Sequence, residues 1–217
     1  AMSGPMGGSA SEEFLAPMPI GEDTFALAPS GKAWNVEALS TPELPEIDAS
    51  TTPAASKEAT PDAKTIDNMI ERANADHPRT DGREWQASDI LKNVVITVKH
   101  PEDEEHDEPW REVIVVGVPG DRTVDMKRLE AQFAPAELEE ATEEDLKQHP
   151  ELVPGYIGPM VLGPQAEAAG VKNPVRYLID AHVARGSAWF TGADEAGVDY
   201  YDLVYGRDFE ADGVVEA

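Results

Sequence analysis

The sequence predicts an α/β or α+β domain, in which helices alternate with short strands. Two β-branched runs, Val94–Val98 and Val113–Val118, flank the acidic segment Pro101–Trp110 and predict a hairpin with a long tip. Apolar residues at helical spacing in Asp62–Asn74 predict an amphipathic helix before that hairpin. Helices and strands that alternate in this way are typical of a sheet packed against helices.

The C-terminal half of the chain predicts further helices and strands. Asp125–Phe133 predicts a second helix. A third begins after Thr142, because a threonine followed by acidic residues is a favourable helix start. His149-Pro150 ends that helix, and Val175–Ile179 and Tyr200–Val204 predict two more strands.

The chain is strongly acidic and contains no cysteine. Its 217 residues include 43 Asp and Glu against 17 Lys and Arg, so the formal net charge is −26. This balance argues against a freestanding nucleic-acid binder and against docking on anionic membranes. The lack of cysteine excludes disulfides, thiolate metal sites and Cys nucleophiles, and it fits a cytoplasmic protein. We expect the acidic stretches Glu102–Glu108 and Glu137–Asp145 to be solubilising surface.

The N-terminal third differs from the rest in composition. Residues 1–61 are rich in Gly, Pro, Ser and Ala, and residues 40–61 contain four closely spaced Xaa-Pro pairs that predict a linker. Both ends of the chain suggest an excised fragment. We therefore divide the sequence into an N-terminal segment (1–39), a linker (40–61) and a folded domain (62–217).

The chemistry of single residues leaves two interpretations at each candidate position. Asp180 follows a predicted strand, where function is common, but it also suits the N-cap of a helix over Ala181–Arg185. Gly155 and Gly158 bound a loop whose amides can hold a ligand or simply form a turn. Lys92 lies at a strand entrance and is either a site residue or a surface lysine. No P-loop, dinucleotide fingerprint or metal-binding helix is present.

Several short segments occur in an order and spacing that point to one family. They are Gly7–Phe14, Gly21–Thr24, Asn35–Ala38, Thr60–Ile66, Lys92, the Gly-x-x-x-Pro loop Gly155–Pro159, Leu178–Asp180, Thr191–Ala193 and Gly206–Phe209. This series resembles the bacterial-type prolyl-tRNA synthetases. The first three segments are similar to the class II catalytic domain of that family, and the others to the insertion domain between its second and third catalytic motifs.

The resemblance implies an editing domain over residues 62–217, with a mixed, mostly antiparallel sheet flanked by helices, and a remnant of the catalytic domain over residues 1–39. In the family, the insertion domain hydrolyses alanine wrongly esterified to proline tRNA. Editing is needed because a pocket that accepts proline discriminates against a smaller amino acid by only about 1–3 kcal/mol. The resemblance implies part of an enzyme that ligates proline to its tRNA using ATP, a reaction this piece cannot perform alone.

The resemblance also implies a site. The catalytic set would be Lys92, Gly155, Gly158, Pro159 and Asp180. In this set the loop amides polarise the ester carbonyl, Lys92 contacts a phosphate or the terminal ribose, and Asp180 holds the substrate ammonium or shapes the pocket. The substrate-binding set would be Thr60, Gly192, Ala193 and Asp199. Asp199 stands where many family members have a histidine that helps to define the alanine pocket.

Partners and cofactors follow from the same resemblance. We expect the acceptor end of proline tRNA, the remainder of the synthetase and, at full length, a homodimer, with no membrane. Editing needs no metal or cofactor, and ATP and magnesium serve the full-length synthetase only. Because the chain is acidic, other domains would hold the tRNA body, with local help here from Lys92, Lys172, Arg176 or Arg207. The alternative is a non-catalytic insertion that stabilises the synthetase or positions tRNA, which Asp199 in place of histidine favours.

Overall fold

The computed structural model describes residues 16–18, 25–35, 39, 48–61, 65–185 and 188–217. The chain divides into two compact units, residues 1–42 and 43–217, and this boundary falls within the predicted linker. In the first unit, strands β1 (Phe25–Leu27) and β2 (Ala33–Asn35) form an antiparallel hairpin. The segments Gly7–Phe14 and Gly21–Thr24, and residues 36–38 of the third segment, lie outside the described residues.

The second unit contains two sheets. The strands of the larger sheet are β4 (Leu91–His100), β5 (Trp110–Pro119), β6 (Glu137–Glu140), β7 (Arg176–Asp180) and β10 (Gly213–Val215), in the order β10-β7-β5-β4-β6. Those of the smaller sheet are β3 (Ser56–Ala59), β8 (Trp189–Gly192) and β9 (Val198–Leu203), in the order β3-β9-β8. The pairs β5–β7 and β7–β10 are parallel and the other described pairs are antiparallel. The mixed, mostly antiparallel architecture is confirmed.

The helices lie where the apolar periodicity predicts them. Helix α1 (Ile66–Asp76) begins at the N-cap Thr65. Helices α2 (Met126–Phe133) and α3 (Glu143–Lys147) match the second and third predicted helices, and α4 (Ala181–Arg185) follows β7 directly. In the described parts of the chain, no helix is long and apolar enough to cross a membrane.

The larger sheet is buried on both faces. One face packs Ile96, Ile114 and Val116 against Leu129 of α2. The other face packs residues of the alternate register, with Leu91, Val115, Tyr177 and Ile179 against residues of the smaller sheet, Trp189 and Leu203. Because successive strand residues point to opposite faces, this arrangement assigns every position of β4 to one of two environments.

Two predictions made from composition are wrong in part. Ser56–Ala59 belongs to the predicted linker but forms β3, because it pairs with β9 from the far end of the chain. The stretch Glu137–Asp145 is not only surface, since Glu137–Glu140 forms β6 on the edge of β4. Its last residue, Asp145, is buried and accepts hydrogen bonds from Thr97 and Thr142. A carboxylate at the third position of a short helix is needed to complete its capping box.

We expect Asp145→Ala to lower the free energy of unfolding by about 2–4 kcal/mol, because it leaves the buried hydroxyl of Thr97 without an acceptor and breaks the capping box with Thr142. Urea unfolding of the chain measures this loss. Glu144→Ala is the matched control, since its carboxylate is an exposed neighbour on the same helix, paired only with Lys147. Equal losses for the two variants would contradict the structural role of Asp145.

Candidate active site

A cavity of about 210 Å³ opens where the two sheets meet. The larger sheet contributes the start of β4 (residues 90–93), and the smaller sheet contributes Thr191 and Gly192 of β8. The loop residues Gly155 and Ile157 form another wall, and α1 closes the cavity with apolar side chains. Three sequence-predicted site residues, Lys92, Gly155 and Gly192, therefore meet at one cavity.

The Gly-x-x-x-Pro loop lies directly against β8. A methyl group at Gly158 would overlap the carbonyl oxygen of Gly192, and one at Gly192 would overlap the backbone of Tyr156. Gly155 has a φ of +82°, a backbone conformation that favours glycine. Pro159 opens the 3-10 turn that ends the loop. Gly158 and Gly192 are needed for the close approach of the loop to β8, and this approach fixes one wall of the cavity.

Asp194 joins this loop to the end of β8. Its backbone N–H donates to the carbonyl of Tyr156 at 2.8 Å, and its Oδ1 accepts the N–H of Gly158 at 2.7 Å. Burial raises the pKa of the Asp194 carboxyl to about 6, against the opposing hydrogen bonds from the amides of Gly158 and Met160. The amide of Gly158 is thus already committed to a carboxylate. Within the described residues, the N–H groups of Gly155 and Ile157 have no protein acceptor.

Asn93 is a site residue that sequence reasoning missed. Its Nδ2 donates to the carbonyl of Ile157 at 2.9 Å and to Oγ1 of Thr191 at 3.3 Å. Its Oδ1 accepts the hydroxyl of Tyr177 at 2.9 Å. Thr191 in turn donates to the carbonyl of Leu91 at 2.7 Å. Asn93 follows Lys92 directly, but a single Asn inside an apolar strand gives no sequence signal of its own.

Asp199, Thr60 and Gly192 are neighbours, as the predicted substrate-binding set requires. Asp199 lies opposite Gly192 across β8 and β9, and its Oδ2 accepts the hydroxyl of Thr60. The side chain is almost fully buried, and its Oδ1 has no partner among the described residues. Burial raises the pKa of the Asp199 carboxyl to about 6, although the Thr60 hydrogen bond opposes this. Ala193, also buried, donates its N–H to Val198 at 3.0 Å and closes the hairpin.

Lys92 lines the cavity, but its side chain extends away from the Gly-x-x-x-Pro loop. Asn93 points to the loop, so Lys92 points to the opposite face, where its Nζ contacts the carbonyl of Arg122. Burial lowers the pKa of the Lys92 amine, against the attraction of Asp121. Asp180 is not among the cavity-lining residues.

Asp180 lies at the start of α4, the helix-capping alternative that the sequence left open. Its Oδ1 accepts the backbone N–H of His182 at 2.8 Å, in the first turn of α4, and lies 2.8 Å from Nδ1 of the same histidine. Its Oδ2 accepts the N–H of Ala217 at 3.2 Å. These contacts account for the burial of the carboxylate. The described residues contain no cluster of three His, Cys, Asp or Glu that could hold a metal ion, and editing without a metal stays a prediction.

The sequence matches the family model described as aminoacyl-tRNA editing domain over residues 60–199. The chain therefore belongs to the aminoacyl-tRNA editing domain family. The matched range contains the cavity-forming part of β4, the Gly-x-x-x-Pro loop and β8, together with Thr60 and Asp199.

Within that family, the chain is similar to proline–tRNA ligases, which confirms the resemblance stated above. It is 97% identical over 217 residues to that of Bifidobacterium longum, covering all of this chain and 36% of the ligase. It is 51% identical over 217 residues to that of Kineococcus radiotolerans, covering all of this chain and 35% of the ligase. A solved structure described as a candidate trans-editing enzyme for prolyl tRNA synthetase is 12% identical, with 69% of this chain and 76% of that chain covered and a TM-score of 0.47.

We expect Asp199→Asn to change how stability depends on pH. The folded-state pKa of about 6 lies above the ordinary value of 3.8, so the fold favours the protonated acid. The contribution of Asp199 is therefore most favourable below about pH 4 and is lost as the pH rises through 6. The amide of the variant would not ionise but could still accept the Thr60 hydroxyl. The variant should match the parent at pH 4 and exceed it by about 1–3 kcal/mol at pH 7.

Urea unfolding at pH 4, 5, 6 and 7 measures this difference. Asp107→Asn, an exposed position in the hairpin tip, is the control for loss of one carboxylate and should not reproduce the gain at pH 7. A difference in unfolding free energy between the parent and Asp199→Asn that stays constant from pH 4 to pH 7 would contradict the raised pKa of Asp199.

Proposed function

We propose that this domain hydrolyses the ester that links alanine to proline tRNA, and that the cavity beside the Gly-x-x-x-Pro loop holds the aminoacyl group. One observation carries the proposal. The cavity of about 210 Å³ is walled by glycine backbone at Gly155 and Gly192 and lies beside unpaired amides of the loop. A small site of this kind suits a small aminoacyl group on the end of a nucleic acid.

The chemistry asked of the site is addition of water to the ester carbonyl carbon. The bond from that carbon to the ribose oxygen then breaks, and a proton passes to the ribose oxygen, which releases alanine and free tRNA. Negative charge develops on the carbonyl oxygen during the addition. The N–H groups of Gly155 and Ile157 are the donors available to stabilise it, whereas that of Gly158 is held by Asp194.

Selection against proline rests on the size of the cavity. Ile66 and Met69 of α1 and Ile157 of the loop supply apolar walls, and Gly192 leaves space only for a small group. The proposal requires that a proline ring overlap these walls and that the methyl group of alanine fit between them. Size exclusion achieves here what the proline-accepting synthetic site cannot achieve by binding.

The other predicted residues take supporting roles in this proposal. Pro159 and Gly158 hold the loop against β8, and Thr60 with Asp199 forms the buried neighbour of Gly192. Lys92 would contact a phosphate or the terminal ribose from the opposite face of β4. Asp180 would act by shaping the fold at the end of β7, and Ala193 by closing the β8–β9 hairpin.

The proposed setting is a cytoplasmic proline–tRNA ligase that is homodimeric at full length. The chain spans 36% of the length of the Bifidobacterium longum relative. The acceptor end of the tRNA and the remainder of the synthetase would be the partners of this domain. ATP and magnesium would serve proline activation elsewhere in that enzyme.

A non-catalytic insertion is the second candidate, and one observation favours it. Two carboxylates, Asp194 and Asp199, flank Gly192, and the first already occupies the amide of Gly158. If these carboxylates prevent the substrate from binding, the domain would stabilise the synthetase or position tRNA without hydrolysis.

Deacylation of proline tRNA mischarged with alanine tests the proposal, with prolyl-tRNA as the substrate control. The chain, at a concentration high enough to offset weak tRNA binding, should release alanine but not proline. Asn93→Ala should lower the rate about 10- to 100-fold, because the loop carbonyl of Ile157 loses its anchor. Asn173→Ala, an exposed amide, should leave the rate unchanged, and urea unfolding verifies that both variants are folded.

The same assay in the full-length synthetase separates the two candidates. Alanine release there, with silence from the isolated chain, would mean that tRNA contacts lie in other domains. Silence in both would support the non-catalytic insertion and contradict the proposed hydrolysis.

A further inference from the structure

A second cavity, of about 380 Å³, lies at the same end of the β4–β5 pair as the first. The two are neighbours in register, because Pro119 in the second cavity lies opposite Leu91 in the first across the β4–β5 pair. They are also neighbours along the chain, since Ser88 and Asp89 line the second cavity and Ile90 lines the first. Residues that line the two cavities are therefore direct neighbours at Asp89–Ile90 and across the Leu91–Pro119 pair.

Arg122 in this cavity is unusual for a chain with a net charge of −26. Among the described residues, no carboxylate lies within 4.0 Å of its guanidinium group. Its NH1 instead lies 2.9 Å from Nδ1 of His182. Other described arginines do have a carboxylate partner: Arg72, Arg79, Arg83, Arg111, Arg128, Arg176 and Arg207. A cation that finds no anion in so acidic a protein points to an anion supplied from outside.

Two further arginines line the same cavity in fixed positions. Arg79 is 6% exposed, stacks 4.5 Å above the ring of Trp85 and donates to Asp81 at 2.8 Å. Arg83 donates two hydrogen bonds of 2.6 Å to Asp89 and remains 45% exposed. Both guanidinium groups are oriented before any ligand binds. Preorganised planar donors of this kind are the protein groups that best match phosphate oxygens.

Two of the cationic residues expected from the sequence to help with tRNA, Arg176 and Arg207, do not line this cavity. Arg207 is committed to the carbonyls of Thr52, Pro53 and Asp202 and to the carboxylate of Asp208. Arg176 pairs with Glu112 at 3.0 Å. Lys92 does reach this region, because its Nζ contacts the carbonyl of Arg122.

We propose that the second cavity binds a phosphodiester of the same RNA strand whose aminoacylated end occupies the first cavity, with Arg122 as the principal contact and Arg83 in support. The inference rests on the proposed function. It gives an acidic domain a local means of holding the single-stranded acceptor end. The phosphate would complete the coordination of Arg122 without displacing a protein carboxylate.

Binding tests the site independently of catalysis. The probe is a fluorescently labelled single-stranded RNA that ends in CCA, titrated with the chain and followed by anisotropy at several salt concentrations. Arg122→Gln and Arg83→Gln should each weaken binding, the first about tenfold at low salt. The slope of log K against log salt should fall by about 0.7 for each lost phosphate contact.

Arg111→Gln is the matched control. Arg111 is 45% exposed like Arg83, pairs like it with a buried aspartate (Asp145), and lies at the far end of the hairpin. Its substitution removes one positive charge and one ion pair, as Arg83→Gln does. The control therefore reports the effect of those two changes alone. Binding by Arg122→Gln equal to that of the parent, or an equal loss for Arg111→Gln, would overturn the phosphate site.

Hydrolysis separates this inference from the proposed function. With alanyl-tRNA as substrate, Arg122→Gln should raise KM; with the alanyl ester of adenosine, which has no phosphate, it should match the parent. A loss of equal size on both substrates would overturn the phosphate site. If neither the parent chain nor the full-length synthetase hydrolyses alanyl-tRNA, the proposed function fails, and the anisotropy titration still decides whether the cavity binds RNA phosphate.

Discussion

The geometry of the candidate site depends on one partly buried amide side chain, that of Asn93. Such an amide needs partners for its N–H groups and its oxygen, and Asn93 finds them in Ile157, Thr191 and Tyr177. These partners belong to the loop, to the smaller sheet and to the larger sheet. Because each unmade bond would cost about 1–3 kcal/mol, the three parts cannot shift independently. The cavity is therefore a consequence of satisfying a polar group at the centre of an apolar junction.

The second determinant is the alternation of β4. Asn93 faces the loop, so Lys92 must face the other way, towards Arg122 and the second cavity. Two adjacent residues thus serve two different environments. One is a small neutral cavity walled by backbone, and the other holds most of the cationic groups near the site. The described lining of the second cavity holds three arginines beside three aspartates, whereas that of the first contains no carboxylate. In a protein with a net charge of −26, such segregation keeps the carboxylates away from the small cavity.

Sequence patterns predicted the elements that local chemistry determines. The hairpin β4–β5 follows from β-branched runs around an acidic tip, and α3 follows from Thr142 and the acids after it. The pattern could not predict β3, because Ser56–Ala59 is polar and is a strand only through its distant partner β9. The same limit hid the burial of Asp145, which depends on Thr97 from another strand.

The candidate site was predictable where a motif marks close backbone contact. Gly155, Gly158 and Gly192 could be named from sequence. Only glycine permits the approach at Gly158 and Gly192, and the positive φ of Gly155 favours glycine. Asn93 could not, since its role arises from three partners far along the chain. Asp180 was open to two interpretations, and the structure places its carboxylate at the start of α4.

The pairing of β3 with β9 has a consequence for how the molecule assembles. The β4–β5 hairpin joins residues close in sequence, whereas Ser56 must find Tyr201 across most of the folded unit. Contacts between such distant segments carry the largest loop-closure entropy and form slowly. The pairing of β3 with β9, and with it the Thr60–Asp199 contact, would form after the β4–β5 and β8–β9 hairpins. Unfolding would run in reverse, so the Thr60–Asp199 contact would be lost while the hairpins still held.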